Sequence, residues 1–295
     1  MLKVKLSYAI VALCIFCFSN KVGLTNGKII GDTLKLVSWN IQMLPDIYSP
    51  FTHLVRKKQK PRVAKIIQYL NAANFDVVVL QEVFDIQMEK KIKIGLKSNY
   101  PYIQQPIKKK PSIKLSNGVM ILSKHPLEYI DNIIFKVSKK SDRMAQKGCV
   151  LVKIHFNDKE ILIAGTHLDS KSQIAKQLQY TMSKEFIIDP YKSDSIPYFF
   201  AGDFNTERYH EDFSKMKELF KLENYPLNDD RPYSYDEYNS WNTKGNKGWI
   251  DYIFYSKMPK VEIINQYILR PTMMYENRKM DLADHYQIVL EAIIH

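Results

Sequence analysis

The chain contains the stretch Tyr198-Phe199-Phe200-Ala201-Gly202-Asp203-Phe204-Asn205. Its first four residues are all apolar, which is typical of a β-strand that is buried on both faces. Glycine and polar residues follow directly, where such a strand would end. The stretch therefore predicts a core strand that carries a carboxylate and an amide at its end.

The same pattern recurs along the chain and predicts the architecture. Seven further short apolar runs read as strands buried on both faces: Leu34–Trp39, Val77–Leu80, Val119–Leu122, Val150–Ile154, Ile161–Ala164, Ile250–Tyr255 and Ile288–Ile294. Helices separate only some of them, so we expect an α/β protein with sheets packed on each other and helices outside. No linker rich in Pro, Gly or Ser interrupts residues 34–295, which are predicted to form a single domain.

Three segments have apolar residues at helical spacing and are predicted to be amphipathic helices. Pro61 reads as a first-turn residue, Ser172 as an N-cap, and the third helix follows Glu211. Their apolar faces would be Val63, Ile66, Ile67 and Leu70; then Ile174, Leu178, Met182 and Phe186; then Phe213, Met216 and Phe220.

Composition narrows the class of protein. The chain has 295 residues, 45% hydrophobic and 12% aromatic, which excludes extended disorder as its main feature. Lys and Arg exceed Asp and Glu by 43 − 31 = 12, an excess that favours anionic partners such as nucleic acid, phospholipid surfaces or phosphate esters. The most basic stretch is Lys108-Lys109-Lys110 with Lys114. It reads as a solvated surface loop, the alternative being a contact to phospholipid headgroups or to a nucleic-acid backbone.

The first 19 residues read as a secretory signal. Lys3 and Lys5 precede an apolar run from Leu6 to Phe18, and Ser19 offers a cleavage position. The run is shorter than the ~20 residues that span a bilayer, so an uncleaved anchor is the weaker reading. We therefore predict a secreted protein with a short lead at residues 20–33, in which Cys149 is the one cysteine left after cleavage.

Polar side chains cluster where the predicted strands end or begin. They are Asn40, Glu82, His167, Asp203, Asn205, Asp251, Asp284 and His285. Because ends of some strands and starts of antiparallel neighbours meet at one sheet edge, these groups could converge in one pocket. Carboxylate and amide oxygens without a cysteine partner suit Mg²⁺, Mn²⁺ or Ca²⁺. Histidines beside a cation are typical of phosphate-ester hydrolysis.

These residues lie in motifs that resemble a known family. Ser38-Trp39-Asn40, Leu80-Gln81-Glu82, Gly165-Thr166-His167-Leu168, Gly202-Asp203-Phe204-Asn205, Asp251-Tyr252-Ile253 and Ala283-Asp284-His285-Tyr286 occur in the order of the endonuclease/exonuclease/phosphatase superfamily. The resemblance runs from Leu34 to Ile293. It implies a four-layer α/β/β/α sandwich of the DNase I-like type, with two mostly antiparallel sheets, and a divalent-metal phosphoesterase.

Finer features are similar to the neutral sphingomyelinase branch, in particular the bacterial sphingomyelinase C enzymes. These features are Glu82-Val83-Phe84-Asp85, Asn117-Gly118-Val119, Lys147-Gly148 and Lys176-Gln177-Leu178. The long aromatic hairpin of haemolytic members is shortened here to Pro271–Glu276. Met273, Met274 and Tyr275 would form either an apolar tip suited to a membrane interface or an ordinary loop.

The resemblance also implies roles for the polar residues. Glu82 would be the main Mg²⁺ ligand (Mn²⁺ being an alternative), with Asn40 supporting the metal or a phosphate oxygen and Asp284 completing an edge metal site. His285 would be the general base, oriented by Asp251. Asp203 and Asn205 would orient the water and hydrogen-bond the phosphoryl group, and His167 would stabilise charge or protonate the leaving group. Lys147 reads as a strand-end surface residue, although the resemblance allows substrate contact.

The leading hypothesis is a secreted, monomeric, Mg²⁺-dependent phosphodiesterase that hydrolyses sphingomyelin at a membrane surface to ceramide and phosphocholine, without a stable protein partner. A secreted nuclease fits the charge equally well, and nucleic acid would be a partner only in that case. An inositol-phosphate or phosphoinositide phosphatase is the next alternative. A non-catalytic membrane-binding protein would have no need of all the polar residues that the motifs retain.

Overall fold

The structure is a computed structural model that describes residues 32–45 and 52–295, with the backbone alone at residues 52–58. The predicted secretory signal at residues 1–19 lies outside the described residues, as does the predicted lead apart from Asp32 and Thr33. No helix among the described residues is long and apolar enough to cross a membrane.

Fourteen strands and four α-helices alternate along the described chain. In order they are β1 Asp32–Met43, α1 Thr52–Ala72, β2 Val77–Val83, α2 Ile86–Leu96, β3 Tyr102–Gln104, β4 Met120–Ser123, β5 Leu127–Ile134, β6 Gly148–Phe156, β7 Lys159–His167, α3 Gln173–Ser183, β8 Tyr198–Asp203, α4 Glu211–Phe220, β9 Glu223–Asn224, β10 Asp251–Tyr255, β11 Val261–Leu269, β12 Thr272–Tyr275, β13 Arg278–Asp281 and β14 Gln287–Ile294. A 3₁₀ turn at Lys140–Met144 precedes β6, and a π-helical turn at Lys184–Ile188 follows α3.

Twelve of these strands form two six-stranded sheets. Their strand orders are β11-β14-β1-β2-β4-β3 and β5-β6-β7-β8-β10-β9. Only the pairs β1/β2 and β7/β8 are parallel, so both sheets are mostly antiparallel. All eight apolar runs predicted as buried strands lie in or directly beside these strands.

Three apolar clusters hold the layers together, and their membership shows the layer order. The central cluster joins the inner faces of the two sheets, for example Val79 of the first and Ile163 of the second. α1 and α2 pack on the outer face of the first sheet, and α3 and α4 pack on the outer face of the second. Burial of apolar surface at three interfaces therefore produces the expected four-layer α/β/β/α sandwich.

Two helix predictions need correction. The first helix does not begin at Pro61, which lies inside α1. A proline removes one backbone donor from the helix, and the packing of Val63, Ile66 and Leu70 retains the helical course.

The apolar face predicted for α3 was also wrong. Ile174, Leu178 and Phe186 are 70%, 46% and 50% exposed. The buried face contains Gln179 instead, because its side chain donates to Val137 O at 2.7 Å and accepts from Asp169 N at 2.8 Å. Ser172 is nevertheless the N-cap, accepting from Ala175 N, and the predicted apolar face of α4 is buried.

The hairpin of β12 and β13 has a polar turn rather than an apolar tip. Glu276 and Asn277 form the turn, and both have left-handed backbone conformations. Met273 is buried in the first sheet's outer cluster, and Tyr275 packs against that cluster. Of the three apolar residues in β12, Met274 is the exposed one.

Strand register places functional residues in rows. In the second sheet His167 pairs with Asp203 across β7/β8, and Asp203 pairs with Asp251 across β8/β10. In the first sheet Asn40 pairs with Gln81, directly before Glu82. The sandwich therefore presents the ends of five strands at one edge.

Candidate active site

The structure brings all eight predicted site residues together at that sheet edge. Asp203 lies at the centre: its Oδ2 accepts from Asn40 Nδ2 at 3.1 Å and lies 3.5 Å from His167 Nε2 and 4.0 Å from His285 Nε2. The other predicted residues connect to this centre through the contacts described below.

His285 and Asp251 form a closely paired acid and base. His285 Nδ1 donates to Asp251 Oδ2 at 2.7 Å, and Asp251 is fully buried. The main chain of His285 is held by Trp39, whose indole N–H donates to His285 O at 3.0 Å, and Tyr235 lies against the imidazole ring. The pairing directs the other ring nitrogen, Nε2, toward Asp203.

The protonation of His285 follows from its carboxylate neighbours. Burial alone disfavours the imidazolium, but the negative charges of Asp251 and Asp203 outweigh burial and raise the pKa of His285 well above its usual range. Burial, and next the charge of Asp251, raise the pKa of Asp203 to about 6. Asp203, Asp251 and His285 also present ligand atoms within 4.8 Å of one another. Because Nδ1 is engaged by Asp251, Nε2 is the ring nitrogen of His285 that can exchange a proton at Asp203.

Glu82 and Asp284 face each other on the opposite side of the site. Burial, and next the negative charge of Asp284, raise the pKa of Glu82 to about 7. Burial also raises the pKa of Asp284. Two carboxylates that oppose each other's ionisation are typical of a site completed by a cation.

Unpartnered oxygens at this position fit a divalent cation. Gln42 donates to Asp284 Oδ2 at 2.6 Å, which leaves Gln42 Oε1 and Asp284 Oδ1 buried without a hydrogen-bond partner among the described residues. Buried acceptors are rarely left unpaired, and carboxylate and amide oxygens are the ligands that Mg²⁺ prefers. Glu82, Asp284 and Gln42 are therefore the residues that could hold a cation. Asn40 contributes beside them: its side-chain oxygen accepts from Gln42 N at 3.1 Å.

The backbone at this site is strained. Gln42, Glu82 and Asn205 have φ of 48°, 57° and 49°, the left-handed region that residues with a Cβ seldom adopt. Strain of this kind concentrates at functional sites, because the surrounding fold must hold it. Asn205 is held by three contacts: its N–H donates to Asp203 Oδ1, its amide donates to Leu168 O, and its carbonyl accepts from Lys176 Nζ.

Lys147 is part of the site, so its sequence-based reading as a surface residue was wrong. Its side chain is 3% exposed. Nζ donates to His167 Nε2 at 3.0 Å and to Leu168 O at 2.8 Å, and it lies 3.0 Å from Asp142 Oδ1. Burial, and next the charge of Lys147, hold the pKa of His167 well below its usual range. His167 is therefore neutral here, and Lys147 supplies the positive charge at this wall.

Arg62 is a second buried cation that sequence reasoning missed. It is fully buried on α1 and donates to Leu282 O at 2.8 Å and to Ile41 O at 2.5 Å. Its guanidinium also lies 4.6 Å from the ring centroid of Trp241. These bonds join the end of β1 to the segment that carries Asp284. A buried arginine on a helix gives no signal in the sequence, whereas Lys147 was flagged by its Lys147-Gly148 motif.

Part of this site opens into a cavity of about 340 Å³. Glu82, Asp284, His167 and Lys147 line this cavity with polar side chains. Phe84, Leu115, Met144, Leu44 and Pro45 contribute apolar walls. Asp203 lies 3.5 Å from the cavity-lining His167 and 4.0 Å from His285, so it connects the cavity to the acid–base pair. An acidic cation site, a cationic wall and a neighbouring acid–base pair suit attack of water on a phosphate ester whose other end is apolar.

Comparison with known proteins found a family match and similar proteins of known name. Residues 37–263 match the model of the endonuclease/exonuclease/phosphatase family. The chain is 27% identical to a phospholipase C of Staphylococcus aureus over 86% of both chains. It is 28% identical to sphingomyelinase C 2 of Leptospira interrogans over 76% of this chain and 39% of that protein.

A solved structure has the same fold. A beta toxin variant from Staphylococcus aureus with bound magnesium ions superposes with a TM-score of 0.71 and 22% identity, covering 90% of this chain and all of that one. The described sandwich is therefore an established architecture.

Proposed function

The chain belongs to the endonuclease/exonuclease/phosphatase family, and from that premise we propose that it is a divalent-metal phosphodiesterase that hydrolyses sphingomyelin to ceramide and phosphocholine. The observation that carries the proposal is that the His285–Asp251 pair faces Asp203. Asp203 in turn lies 3.5 Å from His167, which lines the same cavity as Glu82 and Asp284. The relatives named phospholipase C and sphingomyelinase C support the choice of substrate.

We propose that different residues of the site carry out proton transfer and orientation of the attacking water. His285 Nε2 takes a proton from water as the water oxygen forms a bond to phosphorus, and Asp251 stabilises the resulting imidazolium through Nδ1. The 4.0 Å between Nε2 and Asp203 Oδ2 is too long for a direct hydrogen bond, and a water beside these two atoms would hydrogen-bond to both. Asp203 would orient that water. The phosphorus–oxygen bond to ceramide then breaks, the ceramide oxygen takes a proton from solvent, and the His285 imidazolium returns to solvent the proton that it took from the attacking water.

Positive charge on the cavity wall stabilises the phosphoryl oxygens. Lys147 is fixed by three contacts and needs little rearrangement as charge develops, which is the condition for strong electrostatic catalysis. Asn40 and Asn205 would contribute amide hydrogen bonds to the same oxygens. Because His167 accepts from Lys147 in this arrangement, we propose that it positions the lysine and shares charge stabilisation with it.

Glu82 and Asp284, with Gln42 beside them, would hold Mg²⁺ or another divalent cation. Bound there, the cation would neutralise the two carboxylates, polarise the phosphoryl group and lower the pKa of the nearby imidazolium. The magnesium ions of the beta toxin structure support this choice of metal.

We further propose that the protein is secreted and acts as a monomer at a membrane surface. The sequence of residues 1–19 supports secretion, and the relatives named for lipid substrates support the place of action. The proposals on secretion, monomeric state and place of action are independent of the catalytic mechanism.

The test is release of phosphocholine from sphingomyelin liposomes by purified residues 20–295, with Mg²⁺ and with EDTA. We expect release that requires Mg²⁺ and falls at least 10²-fold in His285→Ala. His155→Ala is the matched control, because His155 is a half-buried histidine on β6 at the end of the strand remote from the site. A folded protein that leaves sphingomyelin intact but nicks plasmid DNA would move the assignment to a nuclease.

A further inference from the structure

A loop between β3 and β4 combines positive charge with an exposed apolar side chain. We define the lysine loop as residues 105–116, which contain Lys108, Lys109, Lys110 and Lys114 and no acidic residue. All four lysines are exposed, and Ile113 among them is 96% exposed. A single exposed isoleucine is ordinary on a protein surface, but one placed among four lysines has the composition of a bilayer-contacting segment.

Hydrogen bonds hold the lysine loop in a defined conformation. Asn117 closes its base by accepting from Ile107 N at 2.9 Å and donating its own N–H to Ile107 O at 2.8 Å. Lys109 and Gln146 exchange two hydrogen bonds, of 2.7 and 3.0 Å, and Leu115 N donates to Met144 O at 2.8 Å. The loop is therefore fastened to residues 136–147.

That second segment extends the positive surface. Lys136, Lys139, Lys140 and Arg143 are exposed, and the single acidic residue, Asp142, is paired internally with buried Lys147 at 3.0 Å. Residues 105–116 and 136–147 together hold nine basic residues and one acidic residue, so their net charge is 9 − 1 = +8 against +12 for the whole chain. Much of the excess charge of the protein is concentrated in these two segments.

The basic surface is continuous with the catalytic cavity. Leu115, two residues after Ile113, lines that cavity, and so do Ser141 and Met144 from the second segment. A surface that contacts Ile113 would therefore lie at the mouth of the cavity that Glu82 and His167 line from within.

We propose that the lysine loop and residues 136–147 form a docking surface for anionic phospholipid headgroups, with Ile113 entering the bilayer interface. A nucleic-acid backbone would match the charge equally well, but it would gain little from an isoleucine exposed at the centre of the lysines. The role of this surface in presenting sphingomyelin to the cavity rests on the proposed function, whereas lipid binding itself does not.

The test is co-sedimentation of residues 20–295 with vesicles of phosphatidylcholine alone or with 20% phosphatidylserine, in EDTA and without sphingomyelin. We expect binding that requires phosphatidylserine and weakens as salt is raised. The triple variant K108Q/K109Q/K110Q should bind about a hundredfold more weakly. Ile113→Ser should bind several-fold more weakly while keeping its salt dependence.

Two controls separate this proposal from others. K215Q/K217Q/K221Q removes the same charge from the α4 region, and Ile264→Ser removes an exposed isoleucine from β11, at the sheet edge opposite the loop. Neither should weaken vesicle binding. Hydrolysis of the soluble ester p-nitrophenyl phosphorylcholine should be unchanged in the loop variants. Equal loss in the control variants, vesicle binding that is indifferent to Ile113, or binding of duplex DNA without binding of vesicles would overturn the proposal.

Discussion

Replacing Lys147 by methionine removes a buried ammonium group from the wall of the catalytic cavity while keeping a similar volume. The ammonium contacts His167, Leu168 O and Asp142 at 3.0, 2.8 and 3.0 Å. Removing one partner of a buried ion pair typically costs ~3–5 kcal/mol, because the other charge remains without compensation. Asp142 still accepts two hydrogen bonds from Ser170, at 2.6 and 3.0 Å, so we expect the lower value of about 3 kcal/mol in the free energy of unfolding.

Catalysis should suffer independently of stability. A fixed positive charge beside developing negative charge should stabilise it on the scale of an oxyanion-hole donor, on the order of 10²–10³-fold in turnover, so Lys147→Met should lose about that factor in phosphocholine release. The double variant D142N/K147M removes both charges, and its free energy of unfolding should recover to within about 1 kcal/mol of the original, because no uncompensated charge remains. Its activity should stay low.

Urea unfolding and initial rates of phosphocholine release measure the two effects separately. Lys215→Met is the matched control, because its side chain is 58% exposed and pairs with Glu211 on the surface of α4, where such a pair contributes ~0–1 kcal/mol. If the double variant regains activity together with stability, Lys147 serves only to balance Asp142. If Lys147→Met is as stable as the original protein, the buried-pair reasoning is wrong.

Three further outcomes follow from the geometry of the site. Asp251→Asn should lower turnover ~10²–10⁴-fold. It should also move the acidic limb of the pH–rate profile to lower pH, because Asp251 raises the pKa of His285. An acidic limb that does not move would contradict the pairing of Asp251 with His285. The pKa of Glu82 in the folded state, about 7, exceeds its ordinary value, so the native state binds the proton more tightly than the unfolded state does. Ionisation of Glu82 should therefore lower the free energy of unfolding as pH rises from about 4.5 to about 7, which urea unfolding in EDTA measures. The difference in unfolding free energy between the original protein and Glu82→Gln should therefore change by about 2.5 kcal/mol between pH 5 and pH 8. Saturating Mg²⁺ should reverse the sign of that change, because the cation binds the ionised carboxylate. Arg62→Met should lower the free energy of unfolding by about 2–4 kcal/mol because buried carbonyls, including Leu282 O, lose their donor; Arg62→Lys, which keeps the charge and some donors, should lose less.

Strain and charge are concentrated in the same part of the molecule. Gln42, Glu82 and Asn205 combine left-handed backbones with positions in or beside the cavity, and Glu82 faces a second carboxylate. The strained backbone and the carboxylate repulsion at this edge oppose folding, and burial of the three apolar clusters of the sandwich offsets them. A bound cation would relieve the carboxylate repulsion but not the backbone strain.

Local patterns in the sequence were sufficient to predict the sheets and to single out the eight polar residues that the structure brings to one sheet edge. A strand buried on both faces needs apolar side chains at every position, and that requirement is visible in runs such as Tyr198–Ala201 without knowing its neighbours. The polar residues that end such runs also stand out locally. Their convergence follows once strand ends share one sheet edge, as the register from His167 to Asp203 to Asp251 shows.

Burial of individual charged and helical residues depended instead on segments far away in the chain. Arg62 is buried because its guanidinium meets Leu282 O, 220 residues later, and Lys147 is buried because β6 pairs with β7 and brings His167 beside it. Ile174 is exposed because Gln179, on the same helix, finds partners at Val137 and Asp169. Spacing along one segment carries no information about such partners, since it is the packing of distant segments that determines which polar groups are satisfied inside.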